Sequence, residues 1–337
     1  MFLLLNKKEE AKKMKRIILC ICGLWMLSVG MILAQDYSLN NHNVVPFSLN
    51  PSSVGAANTL RLGINYRMQW PVLSNQFHTV RLSYDQNVYK QMCSVGAAYS
   101  YDQQSDVFGV HEFDALYAHT FKCADKHFIR LGLQASVFLN QLNIDGLTFG
   151  DQFDPSTGNM LPSSVENWEN QSKAFFDFSV GVSYVFQHHL MVGFAVYHLA
   201  EPDNGFVENT QHLHRKYVAQ IGFVQDLKLN HGLRSQGFSD NYFFANTWYQ
   251  QQDRFKQFYF GVGVCYEPVI VGVSYKTDLD EVHTPSFTVG GYYKGFQLYY
   301  VFDLFTSDRK NGSWSNEISL IYTMPYKKKD LCPVVYW

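Results

Sequence analysis

The stretch that decides the fold reads Asn58-Thr-Leu-Arg-Leu-Gly-Ile-Asn-Tyr-Arg-Met-Gln-Trp70-Pro71. Its apolar side chains occupy alternate positions, namely Leu60, Leu62, Ile64, Tyr66 and Met68. Successive side chains of a strand point to opposite faces, so this pattern predicts a β-strand with one apolar face. Arg61 and Arg67 share the other face, and Pro71 is expected to end the strand because it has no N–H for a ladder. Such a strand fits a soluble sandwich, and it also fits a membrane barrel with a polar lumen.

The composition excludes some classes of protein. Charged residues make up 17% of the chain and aromatic residues 16%, with 22 Tyr and 27 Phe. Soluble domains usually carry about 25% charged residues, and aromatic side chains favour strands. The formal net charge of −2 gives no electrostatic basis for a nucleic-acid partner. Cys93, Cys123, Cys265 and Cys332 lack the spacing of a zinc site or a dense disulfide framework, which leaves open one bridge or free thiols.

The alternating pattern returns along the rest of the chain. It is clearest at Ile129–Leu139, Phe176–Phe186 and Phe260–Tyr266, and it recurs near the end at Ile318–Tyr322. No amphipathic helical pattern of similar length accompanies it. The sequence therefore predicts an all-β protein with about fourteen strands, an even number as in bacterial outer-membrane barrels.

The lengths of the connections distinguish a barrel from a sandwich. Short and long connections follow one another, and the longest is expected from Asn140 to about Lys173. Gln251–Lys256 is expected to be one of the longer connections, whereas 230–240 breaks the alternation. Outer-membrane barrels have short periplasmic turns and longer external loops. We therefore predict a transmembrane antiparallel up-and-down β-barrel whose apolar face contacts the lipid of the outer membrane.

The first residues are typical of a targeting segment. Lys12, Lys13, Lys15 and Arg16 precede an apolar run from Ile17 to Leu33, and Ala34 ends it. This order predicts a signal peptide over 1–34 that is cleaved after Ala34, with Met14 as an alternative start. We then expect an irregular periplasmic segment at 35–57, the barrel at 58–326 and a basic periplasmic tail at 327–337.

The sequence nominates no enzyme site, cofactor site or metal site. The loop histidines His212 and His214 lack accompanying carboxylate or cysteine ligands, so solvated side chains are the simpler interpretation. Ser, His and Asp residues are too scattered to predict a catalytic set. Arginines on the polar faces either line a conducting lumen or pair with Asp85 and Asp177 in a plugged interior, and the pattern leaves both alternatives open: Arg61, Arg67, Arg81 and Arg130.

Several motifs, in this order, resemble the PorP/SprF family of outer-membrane proteins. The positions that carry the resemblance are Asn50, Pro51, Tyr66, Arg67, Gln69, Trp70, Pro71, Tyr84, Asp85, Gly150, Asp151, Asp154, Pro155 and Glu317. The segment around Glu317 departs from the family pattern, where a His commonly precedes the Glu, because Asn316 stands at that position. These family positions have either a structural role or a role in partner contact.

The resemblance implies a non-enzymatic outer-membrane barrel of the type IX secretion system of Bacteroidetes. The implied partners are periplasmic ring or peptidoglycan-binding components of that system and secreted adhesin-like cargo, including gliding adhesins. The alternative function is a passive or substrate-selective porin.

Overall fold

A computed structural model gives the architecture of the chain. The residues that it describes are 39–42, 45–57, 59–71, 76–89, 92–143, 152–153, 171–187, 189–206, 211–227, 241–279, 282–306 and 313–324. The predicted signal peptide (1–34) and the predicted basic tail (327–337) lie outside these residues. Among the described residues, no helix has the length and apolar character needed to cross a membrane.

Fourteen antiparallel strands form one closed barrel, which confirms the predicted fold. The strands are β1 Arg61–Gln69, β2 Phe77–Tyr89, β3 Cys93–Gln103, β4 Phe108–Ala124, β5 His127–Leu142, β6 Gln171–Phe186, β7 Leu190–Tyr197, β8 Lys216–Asp226, β9 Asn241–Gln252, β10 Phe255–Tyr266, β11 Val269–Thr277, β12 His283–Tyr293, β13 Phe296–Phe305 and β14 Ser313–Thr323. Each strand pairs with its sequence neighbours, and β1 pairs with β14 from Arg61↔Thr323 to Gln69↔Ser315. Closure leaves no unpaired sheet edge, which is the condition for strands to cross a lipid bilayer.

The first strand has the two faces that its sequence predicts. Leu62, Ile64 and Tyr66 point outward and are exposed, whereas Arg61 and Arg67 point inward and are buried. The same arrangement recurs around the barrel, with exposed Leu, Val, Ile and Phe on the outer face. Because apolar side chains outside and polar ones inside suit a barrel surrounded by hydrocarbon, the outer face is the lipid-facing face.

The two ends of the barrel differ in their connections. At one end, here the short-turn end, five of the six connections have two or three residues, and the one after β8 is longer. The opposite end, here the long-loop end, carries the longest connection, between β5 and β6. In outer-membrane barrels the short turns face the periplasm.

The prediction of a longer connection at Gln251–Lys256 is wrong. Strands β9 and β10 continue through most of this range, and a turn of two residues, Asp253 and Arg254, joins them.

Tyrosine–histidine pairs mark the outer rim near the long-loop end. The Tyr66 hydroxyl lies 2.9 Å from His78 Nδ1, and Tyr275 lies 2.7 Å from His283 Nδ1. His78 is the second residue of β2, next to the strand of Tyr66, and His283 is the first residue of β12, next to the strand of Tyr275. Rings with one apolar body and one polar edge suit the boundary between hydrocarbon and headgroups.

The described cysteines form no disulfide. Cys93, Cys123 and Cys265 are not disulfide-bonded, and of these three Cys265 alone is buried. Cys332 lies outside the described residues.

Candidate functional site

The described residues of 39–57, namely 39–42 and 45–57 and here called the lumen segment, lie against the inner face of the barrel. The segment contains two 3-10 helices, Pro46–Ser48 and Pro51–Ser53, and it precedes β1. Phe47 and Val54 are fully buried, and Leu49 packs with wall residues such as Trp248. The sequence predicted an irregular periplasmic segment here and gave no indication that it would pack inside the barrel.

Asn50 and Pro51 begin the second 3-10 helix. The side-chain oxygen of Asn50 accepts hydrogen bonds from Ser52 N at 3.0 Å and from Ser52 Oγ at 2.7 Å. Asparagine at the cap and proline at the first helical position are favoured because they satisfy or remove the free N–H groups. The side-chain nitrogen of Asn50 donates to the Val182 and Phe194 carbonyls at 3.1 and 3.4 Å. One side chain thus shapes the turn and binds it to β6 and β7.

Three wall glycines make room for this turn. A Cβ on Gly132 would lie 2.1 Å from Ser52 N, and one on Gly181 would lie 2.0 Å from Asn50 Oδ1. A Cβ on Gly193 would lie 2.7 Å from Asn50 Nδ2. Real Cβ atoms do not approach other atoms this closely, so the lumen segment can lie here only because these positions lack side chains.

A carboxylate in β14 holds the first part of the lumen segment. The two oxygens of Glu317 accept hydrogen bonds from Asn40 N at 2.8 Å and Asn41 N at 3.0 Å. Arg67 NH1 also donates to Glu317, at 2.9 Å, and Arg67 NH2 lies 2.8 Å from Asp303. All three ionised side chains are at most 1% exposed. Buried charges of this kind require partners, and here the partners are one another together with backbone N–H groups.

Three further charged residues contact the segment: Asp85, Arg130 and Lys276. Asp85 accepts a hydrogen bond from Gly55 N at 2.8 Å and from Arg61 Nε at 2.7 Å. Arg130 Nε donates to the Ser52 carbonyl at 2.8 Å, and its NH2 donates to the Val54 carbonyl. Lys276 donates to the side-chain oxygen of Asn40. Most of these contacts reach backbone atoms, so the wall recognises the path of the segment more than its side chains.

The lumen is packed rather than open along the described residues. Of the two alternatives for the inward arginines, pairing is the one observed: Arg61 pairs with Asp85, and Arg81 lies 2.7 Å from Asp114. Asp177 was a candidate arginine partner, but it lies 2.9 Å from His198 Nδ1 instead. Side chains lining a water-filled pore would be solvated, whereas these are almost wholly buried.

The structure separates the family-motif positions into three groups. Asn50, Pro51, Arg67, Asp85 and Glu317 belong to the lumen segment or its anchors, as described above. Gly150, Asp151, Asp154 and Pro155 lie outside the described residues.

The third group comprises positions on the outer face of the barrel and residues at the long-loop end of β1, where Gln69 lies on the inward face. Tyr66 and Tyr84 point outward, and Trp70 packs edge-on against Phe77 and Phe305, with centroids 5.1 and 5.8 Å away. Pro71 follows Trp70 directly after β1 ends. Gln69 lies beside Arg67: with its amide oxygen turned toward the guanidinium, it accepts a hydrogen bond from Arg67 Nε at 3.0 Å.

Some anchors were not anticipated from the sequence. Lys276 and Asn65 carried no motif, and the pairing of Asp303 with Arg67 was not predicted, because these roles depend on strands far apart in the chain. Gly132 and Gly181 were visible as inward positions of strands, and a glycine at such a position signals close approach of another backbone. No group of three or more His, Cys, Asp or Glu side chains suited to a metal ion occurs within the described residues.

One family model matches most of the chain. It is described as type IX secretion system membrane protein PorP/SprF, and it matches residues 32–322. The chain belongs to this family. Membership places this PorP/SprF protein in the outer membrane, in agreement with its closed barrel and apolar outer face. No curated protein matches the chain.

Solved outer-membrane proteins share only a distant likeness with this PorP/SprF protein. Omp33 of Acinetobacter baumannii has 7% sequence identity and a TM-score of 0.44, over 80% of this chain and 100% of that one. The toluene transporter TodX of P. putida has 8% identity and a TM-score of 0.48, over 86% and 95%. A FadL homologue of Pseudomonas aeruginosa has 9% identity and a TM-score of 0.44, over 81% and 92%. Likeness at this level carries no argument about function.

Proposed function

We propose that this protein is a non-enzymatic component of type IX protein secretion. In this role it supports export or surface attachment of cargo proteins such as adhesins by binding partner proteins. The partners are secretion components on the periplasmic side, of the ring or peptidoglycan-binding kind, and secreted adhesin-like cargo on the external side. The barrel has no catalysis of its own and requires no cofactor.

The observation that carries this proposal is the packed lumen of a PorP/SprF barrel. A porin needs a continuous aqueous passage, and its lumen-facing charges are solvated. Here Arg67, Asp303 and Glu317 are at most 1% exposed, and the lumen segment covers the inner wall beside them. A barrel filled in this way is better suited to presenting surfaces than to passing solutes. The packed lumen therefore counts against the alternative of a passive or selective porin.

The loop between β7 and β8 supplies an ordered surface for such contacts at the long-loop end. Lys173 of β6 lies 2.8 Å from Asp203 in this loop, and Arg215 lies 3.3 Å from Glu201. Asp203 also pairs with His212 in an isolated β-bridge. The Lys173–Asp203 pair is half-buried and the Arg215–Glu201 pair is exposed. Such pairs add little stability, but they hold the loop in one arrangement and leave charged groups accessible to a partner.

Two measurements on the purified barrel test the proposal. In planar bilayers we expect no steady conductance, and after mild solubilisation we expect type IX components to co-purify. Steady open pores with no co-purifying secretion component would overturn the proposal in favour of the porin. As a matched pair, Asp203→Lys in the β7–β8 loop should reduce partner recovery, whereas Asp125→Lys in the short turn after β4 should leave external partners bound.

A further inference from the structure

The lumen segment runs from one end of the barrel to the other. Its last residues lie at the short-turn end: two residues beyond them, Thr59 Oγ1 donates to the Met324 carbonyl at 2.7 Å, just after β14 ends. Gly55 binds Asp85, four residues before the end of β2 at the same side. From here β1 begins and rises toward the long-loop end.

The first described residues of the segment lie near the opposite end. Asn40 binds Lys276, which is one residue from the long-loop end of β11. Asn40 and Asn41 also bind Glu317, in the half of β14 that follows the loop from β13. From Gly55 to Asn40, against the direction of the sequence, the chain therefore passes through the lumen from the short-turn end toward the long-loop end.

The length of the segment is sufficient for this path. About 15 residues separate Gly55 from Asn40, and an extended chain spans at most about 3.3–3.6 Å per residue, or roughly 50 Å. The apolar band of an outer-membrane barrel is only about 25 Å tall, so the segment crosses it even with two 3-10 helices in its path.

We propose that the lumen segment runs from the extracellular end of the barrel, where Leu39 lies, to the periplasmic end, where β1 begins. An even number of strands puts the start of β1 and the end of β14 on the same side, and the short turns mark that side as periplasmic. The lumen segment therefore carries the chain at Leu39 to the opposite, external side of the membrane. This inference concerns topology and stands or falls independently of the secretion role.

Epitope accessibility on intact cells tests the topology. One epitope is placed directly before Leu39, a second in the loop between Phe305 and Ser313, and a third in the turn at Asp125-Lys126. We expect antibody to bind the first two on intact cells and the third only after the outer membrane is permeabilised. If the epitope before Leu39 is reached only after permeabilisation while the loop epitope is reached before it, the proposal is wrong.

A single introduced cysteine is a smaller label than an epitope and tests the same topology if an epitope disturbs folding. The variant carries Ser38→Cys in a chain whose other cysteines are replaced by Ser, and its heat-modifiable migration on gels reports that the barrel has folded. A membrane-impermeant maleimide should label Ser38→Cys on intact cells as fully as it labels the same protein after lysis. Labelling that increases at least tenfold on lysis would overturn the external position of the start of the lumen segment.

Discussion

The carboxylate of Glu317 accepts a hydrogen bond from the backbone N–H of Asn40 at 2.8 Å, although 277 positions separate the two residues in the chain. Glu317 belongs to the last strand, and Asn40 lies before the first. The same carboxylate also accepts from Asn41 N at 3.0 Å, from Asn65 Nδ2 at 2.8 Å and from Arg67 NH1 at 2.9 Å. Glu317 is thus the point where the lumen segment, β1 and β14 meet.

Glu317→Gln should weaken this junction strongly. Four donors converge on Glu317, and an amide offers them one oxygen and one opposing NH2 group. Hydrogen bonds to a charged group contribute about 1.5–3 kcal/mol each, so we expect a loss of about 3 kcal/mol or more. The barrel should lose its heat-modifiable gel migration at a lower temperature. Glu201→Gln, which disturbs an exposed pair at 3.3 Å, is the control and should cost at most about 1 kcal/mol. Equal melting of both variants would contradict the anchoring role of Glu317.

Arg67→Ala should destabilise the barrel, which makes Arg67 a structural residue. Without the guanidinium, Asp303 and Glu317 lose their common partner while both remain buried. Removing one member of a buried ion pair costs about 3–5 kcal/mol. The denaturant midpoint in lipid vesicles should fall accordingly, whereas Arg254→Ala in an exposed turn should leave it unchanged. A variant with wild-type heat resistance but no cargo export would refute the structural role and assign Arg67 to partner contact.

Gly132→Ala should displace the lumen segment. The added Cβ would lie 2.1 Å from Ser52 N, a backbone atom that cannot rotate away. We expect intermittent conductance in planar bilayers and cleavage of residues 39–57 by added protease. Gly291→Ala is the matched control, because its Cβ would meet only the Pro268 carbonyl, at 3.8 Å. If both variants stay silent and resist protease equally, the close packing of the segment on β5 is refuted.

Leu133→Arg should be costly although Leu133 is 57% exposed. On the lipid-facing side, an arginine near the bilayer midplane costs about 2–4 kcal/mol, whereas an exposed substitution in a soluble protein usually stays within about 0.5 kcal/mol. Equilibrium unfolding from lipid vesicles measures the difference. Lys122→Arg, near the short-turn end of β4, should have no effect. A loss below about 0.5 kcal/mol for Leu133→Arg would contradict the lipid-facing assignment.

The barrel could be predicted because its determinants are local. Alternation along a strand, as at Leu62, Ile64 and Tyr66, follows from backbone geometry alone, and connection lengths can be read directly from the chain. The two-residue turn at Asp253-Arg254 was missed because the alternation of polar and apolar residues fades at 251–256 and the strands extend beyond it.

The contents of the lumen could not be predicted in the same way. The lumen segment has no period of its own, and its stability comes from contacts with strands more than a hundred residues away, such as Asn50 with the Val182 and Phe194 carbonyls. Motif resemblance found Glu317 and Arg67 but left open whether their role is structural or lies in partner contact. The pairing of Arg67 with Asp303 was not predicted, because only the closed barrel brings β1, β13 and β14 side by side.

The hydrogen bonds of Glu317 have a consequence for assembly. The pairing of β1 with β14 closes the sheet into a ring, and the lumen segment is joined covalently to β1. We therefore expect the segment to be in place before the ring closes, so that Glu317 binds the segment and Arg67 as β1 and β14 pair. Deletion of the whole segment should then lower the yield of inserted barrel, whereas its displacement in a barrel that has already folded should open a leak.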